Sequence, residues 1–177
     1  MRWWICFVVV ILGCTAQPVC DEDTRLVSNR DYYGVASSVI ESAEVELGVV
    51  MFVMRYYDDE VSLVNMLLDD LRSAVGRGVK VRVILEGSYE PSLDSLNREC
   101  ALYLTAGGVE VRLDPDTITT HCKLLYSEGA VLVGSTNWTN SALESNNELC
   151  IYTTSPEVVG DAMGYFEDLW DSSVEVE

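Results

Sequence analysis

The sequence predicts an α/β fold in which a mixed, mostly parallel sheet is flanked by helices. Three apolar segments with strand character, residues 47–54, 79–85 and 109–113, alternate with two amphipathic helical segments, 58–75 and 92–106. This order and spacing are typical of parallel strands joined by right-handed helical crossovers. At 177 residues, the chain is long enough to bury the core of one domain.

Each of these elements has a local signal. The uninterrupted apolar run at 47–54 indicates a strand that is buried on both faces. Apolar residues recur every three or four positions through 58–75, and glycines follow both amphipathic helices. The remaining predicted elements are a helix, two short strands, a longer strand and a final helix, over residues 35–46, 123–126, 130–133, 148–152 and 156–170.

The first 20 residues predict an export signal or a lipoprotein-type membrane anchor. Arg2 precedes an apolar run over 3–12, which is too short to span a bilayer and typical of a signal-peptide core. The run closes on Leu-Gly-Cys, similar to a bacterial lipobox, which makes Cys14 a candidate for lipidation. Lipidation, ordinary cleavage and an uncleaved anchor are all open. We therefore expect an exported, extracytoplasmic protein that is anchored to the membrane through its N-terminus.

Composition divides the chain behind this segment into three parts. Residues 21–32 are polar and predict a tether, whereas 173–177 predict an acidic tail. The periodic apolar pattern lies between them, so residues 33–172 are the predicted domain.

The chain is strongly acidic, with 29 acidic residues, 11 basic residues and a formal net charge of −18. Such a charge disfavours a broad nucleic-acid-binding surface, which needs clustered Lys and Arg. It does not disfavour a phosphodiester substrate, because a local cluster of donors can bind phosphate inside an acidic protein. The acidity is explained equally by a solvated surface that favours solubility.

Six cysteines leave two interpretations open. In an oxidising compartment, four of them could form two disulfides: Cys20, Cys100, Cys122 and Cys150. Cys122 and Cys150 also lie in apolar strand-like segments, which favours buried small hydrophobic side chains instead. The cysteine spacings match no zinc pattern and the chain has a single histidine, so no metal site is predicted.

The single histidine marks the segment where chemistry is expected. His121 lies two residues before Lys123, and residues i and i+2 of a strand point to the same face. Ser135 and Asn137 have the same spacing, in a turn that Gly134 opens. Hydroxyl, amide and backbone N–H donors in such a turn suit an anion, and an imidazole suits nucleophilic or acid–base chemistry. Together they predict a phosphate pocket.

This arrangement resembles the HKD motif of the phospholipase D superfamily. The motif is His-x-Lys-(x)4-acid followed by Gly-Ser-x-Asn, and the matching residues are His121, Lys123, Glu128, Gly134, Ser135 and Asn137. Glu148, 13 residues after the serine, matches a further acid of the family. The resemblance covers roughly residues 33–172. Two departures are Glu128 in place of the usual aspartate and an interval to Gly134 that is one residue shorter.

The resemblance implies a phospholipase D-like domain that hydrolyses phosphodiesters without a metal or other cofactor. It implies that His121 becomes a covalent phosphohistidine and that a second histidine handles the leaving group. The second imidazole would come from another subunit, in a twofold homodimer with a shared active site. Lys123 and Asn137 would hold phosphate oxygens with Ser135, Gly134 and Glu128 in support, and Glu148 would orient the imidazole.

The substrate and the catalytic competence are separate questions. Phospholipids and nucleic acids are rival substrates, and a nonspecific endonuclease is one form of the second, because the motif residues contact only the phosphate. A function of a different class is a non-catalytic phosphate- or lipid-binding module that is tethered to a membrane.

Overall fold

The computed structural model describes residues 24–58, 61–87, 90–114 and 118–176. The predicted export signal or anchor, with Cys14 and Cys20, lies outside the described residues. Within the described ranges, no helix is both long enough and apolar enough to cross a membrane.

The described residues form one eight-stranded sheet and five helices. In chain order the elements are β1 (Arg25–Ser28), α1 (Asp31–Ser42), β2 (Glu46–Met51), α2 (Leu63–Gly76), β3 (Lys80–Glu86), α3 (Pro91–Ala106), β4 (Glu110–Asp114), β5 (Lys123–Ser127), β6 (Ala130–Gly134), α4 (Asn140–Glu144), β7 (Leu149–Thr153), α5 (Pro156–Ser172) and β8 (Val174–Glu175). Across the sheet, the order is β1-β7-β6-β5-β2-β3-β4-β8.

The predicted α/β class is confirmed, but the expectation of a mostly parallel sheet is wrong. Only β2 with β3 and β3 with β4 pair in parallel, and the other five pairings are antiparallel. Helical crossovers through α2 and α3 allow the parallel pairs. The link between β5 and β6 is a tight turn at Glu128 and Gly129, and such a link can only join antiparallel strands.

Two hydrophobic clusters cover the two faces of the sheet. One face packs against α1, α2 and α3, and the other packs against α5 through Val159, Phe166 and Trp170. Val49 belongs to the first cluster and Val50 to the second. Burial on both faces explains why the sequence of β2 is an uninterrupted apolar run.

The folded unit extends beyond the predicted domain at both ends. Arg25–Ser28, expected to be tether, forms β1 and pairs with β7, and α1 already begins at Asp31. Val174–Glu175, expected to be acidic tail, forms β8 and pairs with β4. Both are short edge strands, so they owe their conformation to the neighbouring strand rather than to a local pattern.

Three cysteines fall within the described residues, and all three are free thiols. Cys100 and Cys150 are buried, as the hydrophobic interpretation of Cys150 predicted. Cys122 is half-buried and packs against the cluster beneath α5, and its burial raises the pKa of the thiol.

Candidate active site

With the exception of Glu128, the predicted site residues gather at one end of the sheet, where β2 and β6 finish and β5 and β7 begin. Met51 at the end of β2 is paired with Lys123 at the start of β5, and Gly134 at the end of β6 is paired with Cys150 in β7. The antiparallel arrangement therefore brings the segments around 121–123, 134–137 and 146–149 to the same end of the sheet.

His121 and Lys123 meet through their side chains, as the strand spacing predicted. The Nζ atom of Lys123 donates to the carbonyl oxygen of His121 at 2.7 Å and lies 3.1 Å from His121 Nδ1. Lys123 is buried while His121 is exposed. Burial lowers the pKa of Lys123, and the nearby carboxylate of Glu148 opposes that effect.

Phe52 forms a wall against both of these side chains. Its ring centroid lies 4.4 Å from that of His121, and Lys123 Nζ lies 4.8 Å from the same ring centroid. Phe52 follows β2 and belongs to the apolar run from which the strand was predicted. Nothing in that run separates a site residue from a core residue, so the role of Phe52 has no signal in the sequence.

Ser135 and Glu148 form the second half of the site. The hydroxyl of Ser135 donates to Glu148 Oε2 and accepts from the backbone N–H of Leu149 at 3.1 Å. Asn146 Nδ2 donates to the other carboxylate oxygen of Glu148 at 3.2 Å. The pairing of β6 with β7 thus brings together two residues that the sequence separates by 13 positions.

Gly134 and Asn137 shape the turn between these halves. A Cβ atom on Gly134 would collide with the carbonyl oxygen of Leu149 and with Cys150, so the position requires glycine. Asn137 Oδ1 accepts from the backbone N–H of Val53 at 3.2 Å. That bond anchors one end of the Asn137 amide and makes Nδ2 the end that can donate to a ligand.

Glu128 does not belong to the pocket, which corrects its predicted role in phosphate binding. It follows the far end of β5, about 16 Å along the strand from Lys123. Its carboxylate accepts the backbone N–H groups of Glu44 at 2.7 Å and Glu46 at 3.2 Å. Partial burial raises the pKa of Glu128, but these backbone donors outweigh burial and lower it overall.

Two buried carboxylates hold the residue that precedes His121. The backbone N–H of Thr120 donates to Glu86 Oε2 at 2.6 Å, and the Thr120 hydroxyl donates to Asp114. Glu86 and Asp114 face each other at the ends of β3 and β4. These contacts fix the backbone that enters the site, although the sequence showed only a polar connection there.

Asn97 in α3 ties the loop after β2 to the end of β3. Its Nδ2 group donates to the carbonyl oxygens of Phe52 at 2.9 Å and Glu86 at 2.8 Å. Its Oδ1 accepts from the N–H of Met54 at 3.0 Å, and the side chain is completely buried. Asn97 therefore holds Phe52 in place against His121.

In the ranges that the structure describes, no group of three or more His, Cys, Asp or Glu residues is placed to hold a metal ion. The donors at the site are an imidazole, an ammonium, a hydroxyl and amides, with Glu148 as the carboxylate. This set suits an anionic ligand better than a cation.

A family model described as "Cardiolipin synthase, PLD-like domain" matches residues 37–170. The chain belongs to this PLD-like family. The match contains every motif residue from His121 to Glu148 and agrees with the resemblance to the phospholipase D superfamily.

Curated relatives at moderate identity carry one name, mitochondrial cardiolipin hydrolase. The human protein is 34% identical over 96 residues, which cover 54% of this chain and 36% of the relative. The Chlamydomonas reinhardtii protein is 27% identical over 149 residues, covering 84% of this chain and 58% of the relative. The chain thus spans between about one third and three fifths of the length of these two relatives.

Solved structures share the fold at low identity. Nuc from Salmonella typhimurium, a phospholipase D family member, superposes with a TM-score of 0.71 at 18% identity and covers 86% of this chain and 98% of its own. NucT from Helicobacter pylori gives 0.63 at 19% identity, with coverages of 86% and 99%. Phosphatidylserine synthase from Haemophilus influenzae gives 0.71 at 16% identity, with coverages of 88% and 38%.

Proposed function

We propose that this protein hydrolyses phosphodiester bonds through a covalent phosphohistidine on His121. The observation that carries the proposal is the contact of His121 with Lys123 at the end of the sheet where Ser135 and Glu148 also form a hydrogen bond. Membership of the PLD-like family and relatives named cardiolipin hydrolase support a phosphodiester as the substrate.

The proposed reaction has two displacements at phosphorus. In the first, the imidazole of His121 attacks, a P–N bond forms, and the bond to the leaving oxygen breaks. A second imidazole donates a proton to that oxygen. In the second displacement, water gives its proton to this second imidazole and attacks phosphorus, so the P–N bond breaks and phosphate ester is released.

The neighbouring side chains have separate roles in this proposal. Lys123 and the Nδ2 group of Asn137 donate to the non-bridging oxygens, where charge accumulates in the transition state, and Ser135 is a supporting donor. The Glu148 carboxylate accepts the hydroxyl of Ser135, and in this proposal it also accepts an N–H of a histidine and so stabilises the imidazolium form.

The second imidazole is proposed to come from a second copy of the chain, because these 177 residues contain one histidine. A row of apolar side chains across the sheet supports such a dimer; in order it is Ile84, Val50, Leu124, Val133, Ile151 and Leu26. The first three are buried, whereas the last three are 37%, 46% and 67% exposed.

These last three residues, Val133, Ile151 and Leu26, are called the exposed half-row. The half-row borders the site, because Val133 lies two residues before Ser135 and Ile151 lies three residues after Glu148. An exposed apolar surface beside an incomplete site suits a twofold contact that buries the half-row and brings two copies of His121 together.

The location and the anchor are also proposals. The apolar run and the Leu-Gly-Cys sequence that ends at Cys14 support export and attachment to a membrane, and the name of the relatives, mitochondrial cardiolipin hydrolase, contains that of a membrane lipid. Intact-mass measurement of the protein from a membrane fraction tests the anchor. A lipid adduct on Cys14 supports lipidation, and an unmodified Cys14 removes it.

Hydrolysis of bis-p-nitrophenyl phosphate tests the enzymatic function. We expect His121→Ala to lower kcat/KM by at least about 100-fold, because the nucleophile is lost. The control is Thr119→Ala, an exposed neighbour that should retain activity. Excess EDTA should leave the wild-type rate unchanged. Equal rates for the wild type and His121→Ala would remove the enzyme and favour the non-catalytic phosphate- or lipid-binding module.

A panel of natural phosphodiesters then separates the substrate classes. Vesicles containing cardiolipin or phosphatidylcholine are compared with single-stranded DNA and RNA, each with and without EDTA. The relatives' name makes cardiolipin the first lipid to assay. The net charge of −18 weighs against a long nucleic acid, since little counterion release is available to an acidic surface.

A further inference from the structure

Asn29 and Glu148 are joined by a reciprocal pair of hydrogen bonds. The backbone N–H of Asn29 donates to the carbonyl oxygen of Glu148 at 3.0 Å, and Asn29 Oδ1 accepts from the N–H of Glu148 at 2.9 Å. Asn29 has a φ of 52°, the left-handed conformation that asparagine tolerates better than most residues. This backbone conformation directs both groups of Asn29 toward the same partner.

Arg30 holds the same segment at a second point. Its Nη1 donates to the carbonyl oxygen of Glu144 at 2.7 Å, and its Nη2 donates to that of Asn146. Asn146 in turn donates its side-chain N–H to the Glu148 carboxylate. Two consecutive residues after β1 therefore fix the backbone on both sides of the Glu148 side chain.

Strand pairing between β1 and β7 adds further contacts to the same segment. Ser28 is paired with Leu149, the residue after Glu148, and β1 continues along β7 as far as the pair of Arg25 with Tyr152. The contacts with residues 144–149 thus come from a segment 114 or more positions earlier in the chain.

We infer that Asn29 and Arg30 are positioning residues that hold the Glu148 carboxylate in the active site. The inference rests on the proposed function, in which Glu148 stabilises the imidazolium form of histidine. It makes the segment that links β1 to α1 part of the catalytic apparatus, although neither residue contacts the reacting atoms. The polar segment between the N-terminus and the domain then has a second role besides connection.

The test compares Asn29→Gly with Asn29→Asp by steady-state kinetics on bis-p-nitrophenyl phosphate. Glycine retains the left-handed backbone but lacks Oδ1, so we expect kcat to fall about tenfold while KM stays within about twofold. Aspartate retains an acceptor oxygen, and we expect it to restore kcat to within about threefold of the wild type. Arg25→Ala is the matched control, since Arg25 lies on β1 but stacks on Tyr152 away from Glu148.

Amide hydrogen exchange provides a readout that does not depend on activity. In Asn29→Gly, the amide of Glu148 should exchange faster than in the wild type, while amides in the middle of β7 should not change. Arg30→Gln is the second variant if Asn29→Gly does not fold, with the same loss of kcat expected.

Two results would overturn the inference while leaving the proposed function intact. One is an Asn29→Gly variant whose kcat matches that of the wild type, and the other is an equal loss of kcat in Arg25→Ala. Equal rates of hydrolysis for the wild type and His121→Ala would instead refute the proposed function, and with it the positioning role of Asn29 and Arg30.

Discussion

The Glu128 carboxylate accepts backbone N–H groups from the segment that opens β2, at the end of the sheet opposite the pocket. It matches the acid position of the HKD motif that the sequence resembles, yet its contacts are with backbone N–H groups. From the turn between β5 and β6, the Glu128 side chain binds the backbone of Glu44 and Glu46 at the start of the neighbouring strand β2. We therefore expect this position to matter for the local fold rather than for the chemistry of the pocket.

Replacing Glu128 with glutamine tests this assignment through stability. The pKa of Glu128 is lowered in the folded protein, so its contribution is fully present above the unfolded pKa and is lost as pH falls through the folded pKa. Because Glu128 is exposed, solvent screening keeps that contribution small, about 1 kcal/mol. We expect Glu128→Gln to lower Tm at pH 7 by about 2–4 °C and to leave kcat unchanged.

Thermal unfolding followed by circular dichroism from pH 7 to pH 3 measures this effect. The Tm difference between the wild type and Glu128→Gln should begin to shrink as the pH falls through the ordinary glutamate pKa of about 4.3 and should vanish once the pH passes below the lowered pKa of Glu128 in the folded protein. Glu99→Gln, at an exposed position in α3, is the control. A large loss of kcat in Glu128→Gln without loss of stability would return Glu128 to the pocket.

Among individual residues, those whose chemistry is rare in the chain were the most predictable. His121, Lys123 and the Gly-Ser-x-Asn turn stand out in the sequence, and all lie at the same end of the sheet. Phe52 and Asn97 were missed because a phenylalanine in an apolar run and an asparagine in a helix have no distinctive neighbours. Their roles depend on side-chain contacts with distant segments.

At the scale of elements, α3 supports the active site through one buried side chain. The three hydrogen bonds of Asn97 connect α3 with the loop after β2 and with the end of β3. The loop carries Phe52, and the end of β3 carries Glu86, which holds Thr120. Helix α3 thus holds two segments that border His121, the loop that carries Phe52 and the strand end that binds Thr120.

Asn97→Ala should damage both stability and catalysis. The substitution removes the acceptor of the buried Met54 N–H and the donor to the carbonyl oxygens of Phe52 and Glu86, and we expect a loss of about 2–4 kcal/mol in the free energy of unfolding. We also expect kcat to fall, because Phe52 is released from His121. Urea denaturation measures the first effect and hydrolysis of bis-p-nitrophenyl phosphate at a temperature well below Tm measures the second.

The exposed position Glu99 on the same helix supplies the control for that experiment. Glu99→Ala should change the free energy of unfolding by less than about 0.5 kcal/mol. Full kcat in Asn97→Ala, measured on folded protein, would show that the loop after β2 does not depend on α3 for its catalytic geometry.

The elements that the sequence predicted well are those with a strong pattern of their own. Both crossover helices and the strands β2, β3 and β4 lie close to their predicted positions. Helix α2 begins at Leu63, later than the predicted 58, because Ser62 caps it by accepting from the N–H of Asn65. Strands β1 and β8 were missed because each adds to an existing edge and has too few residues to show a period.

For the molecule as a whole, the exposed half-row is the surface on which the proposed dimer depends. Helix α5 covers the sheet over β2, β3, β5 and the first half of β6 but leaves Val133, Ile151 and Leu26 exposed. Burying these side chains in a twofold contact would remove apolar surface from water and complete the site. The high negative charge of each copy opposes association, so added salt should strengthen the dimer.

Ile151→Arg should disrupt the dimer and the activity together. An arginine at the centre of an isologous apolar contact meets its own copy across the twofold axis, which adds a buried like-charge pair. Sedimentation velocity should show dimer in the wild type and monomer in Ile151→Arg, with kcat at least about 100-fold lower. Leu102→Arg, at a 60% exposed position on α3, should remain dimeric and active. An active Ile151→Arg monomer would contradict the shared site.

The sequence alone determined the fold class, the order of the main elements and the motif residues of the proposed site. It could do so because periodic apolar patterns and rare reactive side chains are local properties of the chain. Only the tertiary structure decided that five strand pairings are antiparallel, that Glu128 lies away from the pocket, and that Asn29 binds the backbone of Glu148 while Arg30 binds the carbonyl oxygens of Glu144 and Asn146. Strand pairing and hydrogen bonds between distant segments set these features, and neither leaves a periodic trace in the sequence.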